Sequence, residues 1–145
     1  MRVSEIMSRD VETVLPDHSI EDAARMMLAV DSGFLPVEED DRLVGTITDR
    51  DIVVRAVAEG KGPNTRVGEV MTRDVKYCYD HQDIAHVAEN MGDLQVRRLP
   101  VVDRDKRLVG VISLADIARE VYDARRAGEA YREIARPGGA HTQQA

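Results

Sequence analysis

A single cysteine, Cys78, stands in 145 residues, so the chain closes no internal disulfide and suits a reducing compartment. No run approaches the roughly 20 apolar residues of a membrane span, and the opening MRVSEIMSRD lacks the apolar core of a leader peptide. The expected setting is the cytoplasm, with no membrane partner. Basic charge is also in short supply. The 20 Lys and Arg face 27 Asp and Glu, a net charge of −7, which argues against general binding to nucleic acid while leaving room for local basic pockets.

Sets of residues for catalysis or metal binding are missing as well. Cys78 lies in the alternating run Val75-Lys76-Tyr77-Cys78-Tyr79, where a packed thiol fits better than an activated nucleophile. His18, His81 and His86 lack the spacing of metal ligands. The acidic run Glu38 to Asp41 has neither the alternating ligands nor the glycine of a calcium loop and reads as a solvated hairpin. Gly60-Lys61-Gly62 is no phosphate-binding P-loop. Neither an enzyme nor a metal site is expected. What remains is ordinary globular composition, 43% hydrophobic and 32% charged, enough for one compact domain or two halves sharing a core.

The positive signal is repetition. LVGTITDRDI at Leu43 to Ile52 returns as LVGVISLADI at Leu108 to Ile117, with six of ten positions identical. Upstream, Val3 to Val37 aligns with Val67 to Val101 without a gap and 12 of 35 positions agree, among them Arg9-Asp10-Val11 with Arg73-Asp74-Val75 and Leu35-Pro36-Val37 with Leu99-Pro100-Val101. One residue is added in the second copy's turn, Asp103 to Arg107, where an insertion costs least. The repeats are therefore 1–60 and 67–122, joined by a Gly/Pro-rich linker at 61–66 and followed by an extension over 123–145.

Each copy reads as a turn of helix, an extended segment, a helix, two strands and a closing helix, a β-α-β-β-α unit in the α/β (α+β) class. In the first copy the turn is Val3 to Met7 and the extended segment Val11 to Val14. Ser19 and Asp22 start a helix with a stripe of Ile20, Ala23, Ala24, Met27 and Val30. Ile52, Val53, Ala56 and Val57 are the expected buried side of the closing helix, and Met26, Met27 and Met91 the fill of the cores. In the signature stretch, Gly45 lets another backbone come close, Thr48 stands at a helix N-cap and Asp51 in its first turn, with Ser113 and Asp116 in the same places of the second copy. A hydroxyl, free backbone N–H groups and the positive end of a helix suit a phosphate, and the carboxylate suits ribose hydroxyls. The same pair also forms a helix-capping box that needs no ligand.

These features, with the Leu-Pro-Val strands and Gly-x-Ile-Thr/Ser-x-x-Asp, resemble a tandem pair of CBS (cystathionine β-synthase) domains, a Bateman module, over about residues 1 to 122. DRLVGTITDRDIVVRAVAEGKGPNT and QVRRLPVV are most similar to the small stand-alone members of the hypoxic-response type. The resemblance implies two repeats related by a pseudo-twofold axis, with clefts between them for adenine nucleotides or other adenosyl ligands, and a tendency to homodimerise. It implies that Asp51 and Asp116 accept bonds from ribose, and that Thr48 and Ser113 contact ribose or phosphate. Adenine would lie near Leu35, Pro36 and Val37 or Leu99, Pro100 and Val101. Backbone around Arg9, Asp10 and Val11, or Arg73, Asp74 and Val75, would read the base edge.

The copies differ where the second has Arg97-Arg98 and the first Gly33-Phe34. The arginines offer charge-assisted bonds to phosphate, so the Ser113/Asp116 site is the expected better phosphate binder, while the first site would borrow charge from Arg50 or from Arg97. The same arginine pair also reads as a solvated strand end that deters edge pairing. Ala115 to Ala135 reads as one long amphipathic helix, with Ile117, Val121, Ala124, Ala127 or Gly128, Tyr131 and Ile134 near one face. A dimer contact is the expectation for that stripe, against packing on the same chain. The function expected is a non-enzymatic sensor of AMP, ADP, ATP or an NAD-like ligand, needing no cofactor, that transmits occupancy to an unnamed regulated protein. The rival is a constitutive interaction scaffold.

Overall fold

The computed structural model describes residues 1–120 and 124–137, which form two compact units. The first consists of Glu12–Val75 with Lys106–Leu108; the second takes Met1–Val11, Lys76–Asp105 and the described residues from Val109 onward. Among the described residues, no helix is long and apolar enough to cross a membrane.

In the first-repeat unit, α1 (Ile20–Val30) starts at Ser19, whose Oγ accepts the Asp22 N–H at 3.0 Å, and ends where Asp31 turns left-handed at φ 54°. Strands β1 (Phe34–Glu39) and β2 (Arg42–Thr48) form an antiparallel hairpin with Leu35 opposite Ile47, and its acidic turn passes through left-handed Asp40 and Asp41. Thr48 ends β2 and caps α2 (Asp49–Ile52). The helix then widens into a π-type turn over Val53–Val57, closed by Ala58 N–H on the Val53 carbonyl at 2.9 Å. That wide turn changes which residues face inward. Ala56 is buried and Ile52 half-buried, but Val53 and Val57, expected inside, are 57% and 63% exposed. On α1, Ile20, Ala23 and Met27 fill the core, whereas Ala24 and Val30 face out. A hairpin of two strands accepts only a narrow stripe. The extended segment before α1 contributes one parallel bridge, Val14 to Val37.

In the second-repeat unit, β3 (Cys78–Tyr79) runs parallel to β4 (Arg98–Val102), and β5 (Leu108–Ser113) completes the sheet in the order β3-β4-β5. Asp83 caps α4 (Ile84–Leu94) through a 2.8 Å bond from Ala85 N–H. Val87, Met91, Leu99, Val101, Ile112 and Ile117 are the heart of this core. Cys78 is packed within it, and burial, with Asp80 adding to it, pushes its thiol up to about 12. After α5 (Leu114–Glu120) the described chain resumes as α6 (Ala124–Ala135).

The stripe of α6 is used at home. Ala130 and Ile134 are buried in the core with α4, Gln95 Nε2 donates to the Glu133 carbonyl at 2.8 Å, and Gly92 lets Ala130 approach so closely that a Cβ at 92 would lie 2.9 Å from the Ala130 Cα. For Ile134 this corrects the expectation of a dimer contact: it packs on the same chain, together with Ala130. Tyr131, placed on that stripe by the spacing, is 52% exposed, and Gly128 is exposed. Val121 and the side chains of Ala124 and Ala127 lie outside the described residues, as does 138–145 of the extension.

The compact units are offset from the sequence repeats, because each core is completed by the opening segment of the other copy. In the second-repeat unit the Val3–Glu5 turn hangs from Gln82 and Asp80 carbonyls at 2.9 Å, Val3 and Met7 enter the core, and Ser8 exchanges two backbone bonds with Val111 at 2.9 and 3.0 Å. In the first-repeat unit α3 (Val67–Val70) supplies Val67 and Val70, Met71 follows them inward, and Thr72 exchanges two bonds with Thr46 at 3.0 and 2.8 Å. The glycine of each Leu-Val-Gly lies beneath this strap: a Cβ at Gly45 would meet the Thr72 carbonyl at 2.9 Å, and one at Gly110 the Ser8 carbonyl at 2.8 Å. The close backbone approach expected at Gly45 is there, and the partner comes from the other copy.

Candidate functional site

The signature stretch builds the same local geometry twice. A strand ends at a hydroxyl residue with extended backbone, and the chain turns into a helix whose first-turn carboxylate folds back onto it. Asp51 N–H donates to Thr48 Oγ1 at 3.1 Å and Thr48 N–H to Asp51 Oδ2 at 3.0 Å; Asp116 N–H donates to Ser113 Oγ at 3.0 Å and Ser113 N–H to Asp116 Oδ2 at 3.1 Å. All four residues are half-buried. The capping box is thus fully formed in both units, and it leaves the second carboxylate oxygen of each Asp for another partner.

An arginine on the following turn faces that oxygen. Arg55 Nε lies 3.8 Å from Asp51 Oδ1, while its Nη1 reaches the Val70 and Met71 carbonyls at 3.4 and 3.3 Å. In the other unit Arg119 pairs with Asp116 Oδ1. Neither arginine stood among the residues singled out from the sequence. Their spacing from the aspartates, four and three residues on a helix, was the available signal.

The remaining sequence candidates fall into the two units as follows. Thr48, Asp51, Arg50, Pro36 and Val37 share the first-repeat unit with Arg73, Asp74 and Val75; Ser113, Asp116, Arg97, Arg98, Pro100 and Val101 share the second with Arg9, Asp10 and Val11. The exchanged straps cause this re-sorting, since Ser8 runs beside β5 and Thr72 beside β2. Arg9 and Arg73 are spent in the same way, each donating from Nη2 to a carbonyl of its own strap, Ser4 at 2.9 Å and Gly68 at 3.0 Å. Val37 and Val101 are wholly buried in the two cores beside the buried Pro36 and Pro100. Arg97 is half-buried, with its guanidinium carbon 5.8 Å from the centroid of the Tyr131 ring; Arg98 and Arg50 are exposed. Among the described residues, no three His, Cys, Asp or Glu side chains gather as a metal site.

Two α/β units, each with a Thr/Ser-x-x-Asp cradle at a strand-to-helix turn and each strapped by the other repeat, define a paired-repeat module. The chain belongs to the CBS domain family, whose model matches residues 3–57 and 67–123. Hypoxic response protein 1 of Mycobacterium tuberculosis is 40% identical over 119 residues, covering 81% of this chain and 82% of that protein. The crystal structure of Hypoxic Response Protein I with two coordinated zinc ions superposes with a TM-score of 0.76 at 38% identity, covering 83% of this chain and 99% of that one. The CBS domain pair of protein MJ0100 in complex with 5′-methylthioadenosine and S-adenosyl-L-methionine gives 0.73 at 32% identity over 82% and 94% of the two chains. CBSX2 in complex with AMP gives 0.73 at 25% identity over 86% and 98%.

Proposed function

We propose that this protein is a non-enzymatic, cytoplasmic regulatory module that binds adenosyl ligands at its two Thr/Ser-x-x-Asp cradles and passes their occupancy to a protein partner. The observation that carries the reading is the duplicated cradle, in which each aspartate keeps one oxygen beyond its capping bond. Complexes of related CBS pairs with AMP and with S-adenosyl-L-methionine support the ligand class. In this reading Asp51 and Asp116 hold ribose hydroxyls, Thr48 and Ser113 hold ribose or phosphate, and Arg97 and Arg98 favour phosphate at the second cradle. AMP, ADP, ATP and NAD(H) are the candidates, no further cofactor is needed, and the working form is a homodimer. Signalling works by population shift, through unequal affinity of the ligand for two arrangements of the module.

Arg55 gives the reading a physical relay. It spans Asp51 and the Met71 carbonyl, so a ribose that takes over the aspartate alters the anchoring of the strap.

The closed capping boxes favour one other reading, a ligand-free interaction scaffold. Thermal unfolding of wild type, Asp51→Ala and Asp116→Ala with AMP, ADP, ATP, NAD(H) or S-adenosylmethionine at about 100 times Kd separates the two. Binding adds about 2.7 kcal/mol, a rise of roughly 5–10 °C, and loss of that increment in one variant locates the site. Each variant starts lower, by about 1 kcal/mol for the lost bond from the Thr48 or Ser113 N–H to its carboxylate, so the increment rather than the midpoint is the readout. No increment with any of these compounds, each at millimolar concentration, establishes the scaffold.

A further inference from the structure

One backbone bond recurs in both units and sets the same two positions side by side. Asp49 N–H donates to the Gly33 carbonyl at 2.9 Å; Leu114 N–H donates to the Arg97 carbonyl at 2.8 Å. Each pair adjoins a cradle, because Asp49 follows Thr48 and Leu114 follows Ser113. The chemistry of the pairs is opposite. In the second-repeat unit the pair is a guanidinium and a buried leucine. In the first it is a bare glycine and an exposed carboxylate, placed so that a Cβ on Gly33 would lie 2.4 Å from Asp49 Oδ2. The carboxylate thus occupies the space that a side chain at 33 would claim.

Asp49 Oδ1 accepts the N–H of its neighbour Arg50 at 2.9 Å, and among the described residues no cationic group lies within 4 Å of the carboxylate. Its negative charge is therefore uncompensated at close range. With Asp51 it places two carboxylates in the first turn of α2, whereas the first turn of α5 carries Asp116 alone. Charge beside the hydroxyl that would meet a 5′ substituent decides which substituent is tolerated.

We infer that Asp49 is a specificity-determining residue. It makes the first-repeat cradle a site for adenosyl ligands whose 5′ substituent is uncharged or cationic, and it turns 5′-phosphates away, leaving these to the Arg97 side of the chain. Gly33 is part of the device, since a side chain there displaces the carboxylate. The inference rests on the cradle reading of the proposed function.

Titration calorimetry in EDTA tests it on the Asp116→Ala protein, which silences the second cradle, with and without Asp49→Asn. The probes are AMP, adenosine and S-adenosylmethionine. Asp49→Asn should tighten AMP about tenfold, leave adenosine within about twofold and weaken S-adenosylmethionine several-fold. Equal changes for AMP and adenosine overturn the charge filter while leaving the cradle in place. Binding confined to Asp51→Ala overturns it too, by showing the first cradle empty. Absence of binding to the unmutated protein overturns the cradle reading itself and the filter with it.

Discussion

Replacing Gly110 by alanine tests the strap directly. The new Cβ would lie 2.7 Å from Met7 Sδ and 2.8 Å from the Ser8 carbonyl. The thioether can swing aside, but the carbonyl cannot, because Ser8 is held by two backbone bonds to Val111, the residue that follows Gly110. Overpacking of this kind costs about 1–3 kcal/mol, and loosening two backbone bonds adds about 1 kcal/mol. Reduced freedom of the unfolded chain returns about 0.5–1 kcal/mol. The net loss is about 1–3.5 kcal/mol, a fall in Tm of roughly 3–12 °C followed by circular dichroism. Hydrogen exchange should speed up at Ser8 and Val111 before other core amides. Gly62→Ala, where a Cβ meets nothing within 4 Å, is the control and should be neutral or slightly stabilising. A Gly110→Ala protein as stable as the control, with unchanged exchange at Ser8, refutes the account of the strap.

Three further outcomes follow from the packing and the titration. Gly92→Leu, which installs the residue that the first copy carries at Leu28, should drive α6 off α4 at a cost of at least 1–3 kcal/mol and expose the 124–137 region to protease, whereas Leu28→Gly, at a side chain 84% exposed, should cost only about 1 kcal/mol of helix propensity in a melt. Ser19→Ala should lower stability by about 1 kcal/mol through loss of the α1 cap, measured by urea denaturation at unchanged m-value. Cys78 should resist iodoacetamide at pH 8.5 until urea unfolds the chain. Because its folded thiol holds the proton up to about 12 and the unfolded one only to about 9, its contribution to stability is whole below pH 9 and declines as the pH rises from there toward 12, as alkaline urea titrations would read.

Local chemistry was legible from the residues alone. Ser19/Asp22, Thr48/Asp51 and Ser113/Asp116 announce capping boxes because that motif is satisfied within four residues, and all three are formed. Cys78 was legible as a packed thiol from strand alternation. Long-range pairing was not. Nothing in the spacing of Val67, Val70 and Met71 says that they complete the core of the preceding copy, since an apolar stripe specifies a partner face without specifying whose. The same indeterminacy hid the use of Ala130 and Ile134. Val53 and Val57 were misplaced for a different reason: a 3.6-residue period cannot foresee a π-type turn. The Gly33/Asp49 pair escaped notice because its two members become neighbours only through the backbone bond that joins the start of β1 to the end of β2.

The exchanged straps also bear on how the chain is made. Synthesis delivers residues in order, but assembly does not follow it. Glu12–Val75 is an almost unbroken stretch, so its core has nearly all its parts once residue 75 has left the ribosome. Met1–Val11, made earlier, must wait for Asp80 to Val111 to emerge before Val3 and Met7 find their places, across a loop of about 70 residues. For that interval the first residues translated belong to the last unit completed.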